Sequence, residues 1–126
     1  MEKIRTVCMM RDLVRALAQL EAQLMQAAGV GLNEAMVICA IGLDRATAGD
    51  IARCVGLQPP NASKVVRSVE RKGLVCRSLG ETDHRRMYFS LTPAGRACLD
   101  RLRNGLTDIP PLLQPLMREP EGPCVG

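Results

Sequence analysis

The sequence has 126 residues, a length that suits one domain with a single core, and its 47% apolar content argues against global disorder. Aromatic residues make up only 2%, and Tyr88 and Phe89 are the whole set. This scarcity argues against a platform that stacks nucleic-acid bases, and also against a carbohydrate site or an aromatic cage. The net charge is +4, a mild excess whose distribution is more informative than its size.

The positive charge is concentrated in the middle third of the chain. Residues 45–86 contain nine Lys or Arg and four Asp or Glu, whereas the rest of the chain contains eight basic and nine acidic residues. Such a segment is typical of a surface that binds a polyanion, although a solvated basic face has the same composition.

A long helix is predicted near the N-terminal end. Residues 3–28 contain neither Gly nor Pro, and their apolar residues recur at helical spacing until Gly29. Met10, Val14 and Met25 lie off the main apolar stripe. A helix with this much apolar surface is expected to bury a second face against a partner chain.

Three shorter helices are predicted next, separated by Gly42 and by the turn LQPPN. Asn33 is the expected N-cap of the second helix. The third helix begins at the capping pattern of Thr47 and Asp50. The fourth covers about residues 61–72.

The period then changes from helix to strand. Residues 74–79 and 86–91 have strand character, and the turn GETDHR joins them in a predicted hairpin. Thr92 is the expected N-cap of a fifth helix, which has Pro93 at its first position and ends at about residue 106. Five of the eight prolines follow, so only a short broken helix is expected in the tail, around residues 112–118.

The two faces of the fourth helix differ in composition. One face is an apolar stripe of Ala62, Val65, Val66 and Val69, and the opposite face carries hydrogen-bonding and basic side chains: Asn61, Ser63, Lys64, Arg67, Ser68 and Arg71. A helix fits the major groove of DNA, where the polar residues near its N-terminal end (Asn61, Ser63, Lys64 and Arg67) would reach base edges. Arg71 and Lys72 are better placed for phosphates. A solvated amphipathic helix explains this pattern equally well by itself, but the adjacent basic hairpin favours a helix-turn-helix with a wing.

The turn of the hairpin carries Arg85 and Arg86 directly after Asp83 and His84. A carboxylate two residues from an arginine can pair with it and fix its direction, so we expect Asp83 to brace Arg85. An arginine held at a hairpin tip suits the narrow, negative minor groove of DNA. Arg86 begins the return strand and is expected to reach phosphate or solvent, and His84 is interpreted as a turn residue.

Four motifs occur in order: the LNEAMVICAIG helix, SKVVR-x-VERKGLV running from helix into strand, the D-x-R wing, and the LTPAG start of the next helix. In combination they resemble the winged-helix core of the MarR (multiple antibiotic resistance regulator) family over roughly residues 30–105. The resemblance implies a mainly α (α+β) fold, a winged helix-turn-helix with a two-stranded β wing and flanking dimerisation helices.

The resemblance also implies a function. It implies a homodimeric transcription regulator, usually a repressor, that binds a pseudo-palindromic operator near its own promoter and is released by a small ligand. By the same resemblance Ser63, Lys64 and Arg67 are recognition-helix contacts. Arg85 is the minor-groove arginine of the wing, and Asp83 is its brace.

The expected organisation is one domain in three parts. Residues 1–31 are the N-terminal dimerisation helix, residues 32–92 the winged helix-turn-helix DNA-binding region, and residues 93–126 a C-terminal helix and proline-rich tail that contribute to dimerisation. The family's dimer includes its last helices, which are interrupted here by Pro110, Pro111, Pro115, Pro120 and Pro123. We therefore expect dimerisation through the first and fifth helices, with the tail packed irregularly.

The six cysteines show neither a CxxC pair nor zinc-ligand spacing, and the chain has one His, so no metal site and no cofactor are expected. Most of the cysteines are expected to be small buried residues of a cytoplasmic protein, since the N-terminal stretch lacks a signal-peptide core. Cys8 lies where one branch of the family resembled has a peroxide-sensing cysteine, but its apolar neighbours Val7, Met9 and Met10 disfavour a thiolate.

Two alternatives to a DNA-binding repressor remain open: a redox-sensing regulator on the same scaffold that uses Cys8, and a winged-helix module that binds protein. The basic face of the fourth helix argues against the second. An enzyme is not expected, because the sequence has no nucleophile–base pair at a recognisable spacing, no phosphate-binding glycine loop and no metal cluster.

Overall fold

The computed structural model describes residues 2–117. Within these residues the elements follow in the order α1 (Arg5–Ala28), α2 (Leu32–Ile41), β1 (Arg45–Thr47), α3 (Ala48–Val55), α4 (Pro59–Arg71), β2 (Val75–Leu79), β3 (Met87–Leu91), α5 (Pro93–Asn104) and a short 3₁₀ helix (Pro111–Leu116). The expected fold class, mainly α with a winged helix-turn-helix, is confirmed.

The sheet has three strands, one more than the two-stranded wing that the sequence predicts. Its order is β1-β3-β2, and both pairings are antiparallel. Sequence reasoning misses β1 because three residues are too few to show the alternation of a strand. Ala46 pairs with Phe89 and both are buried, whereas Arg45, Thr47 and Tyr88 lie on the opposite, outer face.

Helix α2 lies at the centre of the core. Val37, Ile38 and Ile41 are buried and pack against buried residues of α3, α4, the sheet and α5, namely Ile51, Val66, Val69, Val75, Phe89, Leu91 and Leu99. A second cluster joins α1 to α2 and α5 through Leu24, Val30, Ala35 and Cys98. Only Ala16 and Leu24 of α1 are buried, so most of this 24-residue helix lies on the surface.

Side chains cap two of the helices as the sequence predicts. At the start of α3 the Asp50 N–H donates to the Thr47 hydroxyl and the Thr47 N–H donates to the Asp50 carboxylate, both at 3.1 Å. The hydrogen bond from the Thr47 N–H is the largest cause that holds the pKa of Asp50 below its ordinary value. At the start of α5 the Gly95 N–H donates to the Thr92 hydroxyl at 3.1 Å.

The starts of α2 and α4 differ from the sequence prediction. Asn33 is not the N-cap of α2, because the helix begins at Leu32 and the Glu34 carboxylate accepts from the Gly31 N–H at 3.1 Å. Helix α4 begins at Pro59, two residues earlier than expected. A proline in the first turn is compatible with a helix because the N–H that it lacks has no partner there.

The cysteines are less buried than the sequence predicts. Of Cys8, Cys39, Cys76 and Cys98, only Cys98 is buried, and burial raises the pKa of its thiol. Cys39 is exposed on α2 and Cys76 is exposed on β2, an edge strand of the sheet. The prediction of buried cysteines is therefore wrong for three of these four, because an apolar pattern does not fix which face a single residue takes. Cys124 lies outside the described residues.

The chain after α5 forms a 3₁₀ helix that contains Pro115 and packs against α1. This 3₁₀ helix agrees with the short broken helix that the sequence predicts around residues 112–118, as far as residue 117, where the described residues end. Pro120 and Pro123 lie outside the described residues. In the part of the chain that the structure describes, no single helix is long and apolar enough to cross a membrane. Only α1 and α2 together meet that length and composition, with a bend of 60° between them.

Candidate nucleic-acid interface

Helix α4 turns an apolar face inward and a polar face outward. Ala62, Val66 and Val69 are buried beneath it. The outward residues are exposed, except for the half-buried Ser63, and we call them the α4 face: Asn61, Ser63, Lys64, Arg67 and Arg71. The turn 56–58, with Gly56 at a left-handed φ of 70°, separates α3 from α4 and gives the helix-turn-helix arrangement.

Two residues that the sequence assigns to the polar side of α4 have other partners. The Lys72 ammonium donates to Glu34 Oε1 at 2.7 Å and to the Gly29 carbonyl at 3.1 Å. The Ser68 hydroxyl donates to Glu34 Oε2 at 2.7 Å. Lys72 is thus engaged in an ion pair within the protein, and its contact with phosphate stays a prediction. We call Glu34, Ser68 and Lys72 the α2–α4 junction; sequence reasoning misses it because its members lie 34 and 38 residues apart.

The α2–α4 junction depends on the ionised form of Glu34, whose side chain is 14% exposed. Burial raises the pKa of this carboxyl, but hydrogen bonds from Lys72, Ser68 and the Gly31 N–H outweigh the effect of burial. The pKa of Glu34 therefore lies below its ordinary value. The junction joins the turn after α1 to the C-terminal end of α4.

Glu34→Gln is expected to lower the free energy of unfolding by about 1.5 to 3 kcal/mol at neutral pH, the usual contribution of hydrogen bonds to a charged group. Folding depresses the pKa of this carboxyl. Its contribution is therefore present above the unfolded value, about 4.3, and is lost as the pH falls through the lower folded value. Urea denaturation of the wild-type protein and of Glu34→Gln, at neutral pH and in acid, measures the difference in their free energies of unfolding. The exposed Glu81→Gln is the control. A loss of unfolding free energy that is equal at both pH values would contradict this role.

An ion pair joins α4 to the wing. Arg77 on β2 donates to both carboxylate oxygens of Glu70, with its Nε 2.9 Å from Oε2, and its guanidinium lies 5.5 Å from the centre of the Phe89 ring. The hydrogen bond from Arg77 is the largest cause of the lowered pKa of Glu70, outweighing partial burial, and the charge of Arg67 adds to it. Sequence reasoning leaves Glu70 at the edge of the helix and assigns no role to Arg77.

The wing tip is a tight turn fixed by Asp83. Its carboxylate accepts from the backbone N–H of Arg85 at 3.0 Å, its carbonyl accepts from the N–H of Arg86 at 3.1 Å, and the Gly80 N–H donates to the Arg86 carbonyl at 2.9 Å. A Cβ on Gly80 would lie 2.7 Å from the Asp83 carbonyl oxygen, so the turn needs glycine there. Asp83 thus orders the backbone that carries the arginines.

The expected ion pair between Asp83 and Arg85 does not form in the structure. Among the ion pairs of residues 2–117 none joins these two side chains, because the carboxylate is turned toward the backbone of the turn. Arg85 and Arg86 are both exposed. A side-chain hydrogen bond with Tyr88 is the largest cause that raises the pKa of Arg86, followed by the charges of Tyr88, Asp83 and Asp50.

Helix α1 carries an exposed apolar stripe, defined by Val7, Met10, Val14 and Leu17, whose spacing of three and four residues keeps them on one face. Val14 is 65% and Leu17 54% exposed, far more than a core residue. The same two residues line an apolar groove of about 390 Å³ with Leu20, Leu24, Leu32 and Leu106. Cys8 is half-buried in the first turns of α1 and is next to the stripe in sequence.

Comparison with known proteins gives matches in structure only. No model of a protein family and no curated protein matches the chain. A solved MarR family transcription regulator matches with a TM-score of 0.67 and 25% identity, over 79% of this chain and 66% of the matched one. A probable transcriptional regulator from Pseudomonas aeruginosa matches with a TM-score of 0.62 and 26% identity, over 72% and 71%.

A third solved structure, MepR of S. aureus in complex with DNA, matches with a TM-score of 0.60 and 22% identity, over 75% of this chain and 79% of MepR. The first two of these similar proteins are named as transcription regulators. The motifs of the sequence and the arrangement of its helices and wing agree on one assignment. The chain has the winged-helix fold of the solved MarR family regulator that it matches.

Proposed function

We propose that the protein is a sequence-specific DNA-binding transcription regulator, and in particular a repressor that binds a pseudo-palindromic operator as a homodimer. The observation that carries the proposal is the α4 face, which is exposed, basic and hydrogen-bonding, with Glu70, the acid at its edge, already paired with Arg77. MepR, a protein of the same fold, is known in complex with DNA. Repression is the role usual for the family that the sequence resembles.

In this proposal α4 enters the major groove. Asn61, Ser63, Lys64 and Arg67 contact base edges, where Arg and Asn side chains can form paired hydrogen bonds with guanine and adenine. Arg71, near the C-terminal end of the helix, contacts a phosphate. The exposure of the α4 face and the absence of an acidic residue from it support this assignment.

The wing is proposed to enter the minor groove beside α4. Arg85 is the residue of the wing that enters the minor groove, because the negative potential of a narrow minor groove attracts an exposed arginine. The Asp83 carboxylate accepts a hydrogen bond from the Arg85 backbone N–H, and this contact restricts the backbone position from which the Arg85 side chain extends. Arg86 is assigned to the phosphate backbone.

A homodimer is supported by the exposed stripe of α1. Val7, Met10, Val14 and Leu17 form a contiguous apolar row that a second copy of α1 would cover. We propose residues 1–31 and 93–126 as the dimerisation parts and residues 32–92 as the DNA-binding part. The apolar groove beside the stripe has the size and lining to take a small apolar effector.

Footprinting on DNA upstream of the gene tests this function. Two protected half-sites are expected, about 10 base pairs apart from centre to centre or a multiple of that spacing, because a two-fold dimer presents its helices one turn of DNA apart. Protection of a single half-site would contradict the dimer, and the absence of any protected site would contradict operator recognition.

A further inference from the structure

We propose that Arg77 is a positioning residue for DNA binding: it holds the carboxylate of Glu70 and so leaves the guanidinium of Arg67 free to contact a base edge. The inference deepens the proposed DNA-binding function and rests on it. Arg77 lies on β2, outside the α4 face, and it acts through α4 and not by touching DNA.

The guanidinium of Arg77 is engaged on two sides. Its Nε lies 2.9 Å from Glu70 Oε2 and its Nη2 donates to Glu70 Oε1, so one planar edge of the group holds both carboxylate oxygens. Its central carbon lies 5.5 Å from the centre of the Phe89 ring, within the range of a cation–π contact. The pairing of β2 with β3 places Arg77 directly opposite the buried Phe89, so both side chains start from the inner face of the sheet. This geometry directs the guanidinium at Glu70.

Glu70 is an acidic residue that needs a cationic partner. Its side chain is only 20% exposed, so the carboxylate has lost part of its hydration and a partner compensates for that loss. The neighbours of Glu70 on the surface of α4 are Arg67 and Val66, three and four positions earlier, because the helix ends at Arg71. Of these two neighbours only Arg67 is charged. If Arg77 is lost, the ion pair open to Glu70 along its own helix is therefore with Arg67.

One cavity brings the three charged side chains together. Arg67, Glu70 and Arg77 line a space of about 210 Å³, and Ser63 of the α4 face lies beside them. Arg67 is exposed, and no ion pair among residues 2–117 involves it. Two arginines thus share the cavity with one carboxylate, and the arginine of the wing strand holds it. The arginine that remains without an ion pair is the one on the α4 face.

This division of roles matters for contact with DNA. Arg67 can form paired hydrogen bonds with guanine only if its N–H groups are not already donated to a carboxylate. An ion pair with Glu70 would occupy those groups and would bring a negative charge towards the phosphates, which repel it. Arg77 prevents both effects. Its influence on binding is therefore largest for the DNA sequence that Arg67 contacts.

The test is DNA binding by two single variants and their double variant, measured by fluorescence anisotropy. Arg77→Gln is expected to weaken binding to the upstream duplex by about 10-fold, in the lower part of the range for one lost bidentate contact. Binding to a scrambled duplex should weaken less. Glu70→Gln should not weaken binding, because no carboxylate remains to pair with Arg67. The double variant Glu70→Gln/Arg77→Gln should recover most of the affinity that Arg77→Gln loses, a non-additive result expected of residues in contact.

Two further variants serve as controls. Arg77→Lys keeps the positive charge but replaces the planar guanidinium by a single ammonium, so its affinity should lie between those of the wild-type protein and Arg77→Gln. Arg103→Gln on α5 removes an exposed arginine from an ion pair with Asp100, 3.3 Å away, and should bind like the wild-type protein. Sedimentation equilibrium checks that each variant is still a dimer, and circular dichroism checks its folding.

The outcomes separate the inference from the proposed function. If the wild-type protein binds the upstream duplex and Arg77→Gln binds it equally well, the inference is wrong and the regulator stands. If the double variant binds as weakly as Arg77→Gln, Arg77 acts by touching DNA or by fixing the wing, and the inference is also wrong. Equal losses in Arg77→Gln and Glu70→Gln would show a purely structural ion pair and would overturn it as well. If the wild-type protein binds neither duplex, both proposals fail.

A second pair of variants decides the matter if Arg77→Gln unfolds. Arg77→Lys is then compared with Glu70→Gln/Arg77→Lys in the same titration. Recovery of affinity in the double variant supports the positioning role of Arg77, and a loss that persists without the carboxylate of Glu70 contradicts it.

Discussion

Charge reversal at Arg67 is expected to weaken binding to the operator by about 100-fold or more. A bidentate contact between arginine and a base contributes about 1 to 3 kcal/mol, and a carboxylate facing DNA adds repulsion. A total near 3 kcal/mol corresponds to about two powers of ten in the dissociation constant. Fluorescence anisotropy with the upstream duplex measures the change in Arg67→Glu.

The fold is expected to survive this substitution. Arg67 is exposed, glutamate is as good a helix former as arginine, and the new like-charge neighbour Glu70 costs only a few tenths of a kcal/mol. Arg96→Glu on α5 makes the same charge change away from the α4 face and should retain most of the affinity, with sedimentation equilibrium used to check that the variant is still a dimer. Equal losses in both variants would mean that net charge, and not the α4 face, determines binding.

Leu17→Asp is expected to convert a homodimer into monomers. Leu17 lies in the exposed apolar stripe of α1 and is 54% exposed, so covering the rest of it in both copies would contribute about 1.5 to 3 kcal/mol from apolar burial. A carboxylate at this position also resists desolvation in an interface. We therefore expect the dissociation constant of the dimer to rise by about 100-fold or more, as measured by sedimentation equilibrium.

The matched control for the dimer is Gln19→Asp. Gln19 is exposed and lies about 200° around α1 from Leu17, so it cannot share the same interface. The Leu17→Asp monomer should also bind the operator more weakly, because the two half-sites no longer bind as one unit. A wild-type protein that is already monomeric would contradict the proposed dimer and the paired half-sites together.

Local signals make most of the elements predictable from sequence. Thr47, Asp50 and Thr92 form the caps that their spacing predicts, and Gly42 and Gly56 end the helices before them. Each of these signals acts within a few residues of chain, where composition decides the backbone conformation. The apolar and polar faces of α4 follow from the same short-range periodicity.

Contacts between distant residues were not predictable in the same way. Glu34 accepts hydrogen bonds from Ser68 and Lys72, which lie more than 30 residues away in the sequence. No local pattern distinguishes an acidic residue that caps its own helix from one that also binds a second helix. Arg45 meets Tyr88 only because β1 adds to the sheet. The orientation of Asp83 was predicted wrongly because a carboxylate two residues from an arginine can equally accept from its backbone N–H.

The central claim is sequence-specific recognition of DNA by the α4 face and the wing. The most direct test is an anisotropy titration of the wild-type protein with the duplex from upstream of its gene and with a scrambled duplex of equal composition, at two salt concentrations. We expect tighter binding to the upstream duplex, by about 1,000-fold or more, and a steep loss of affinity for both duplexes at higher salt. Equal affinity for the two duplexes, or binding that is insensitive to salt, would contradict the claim.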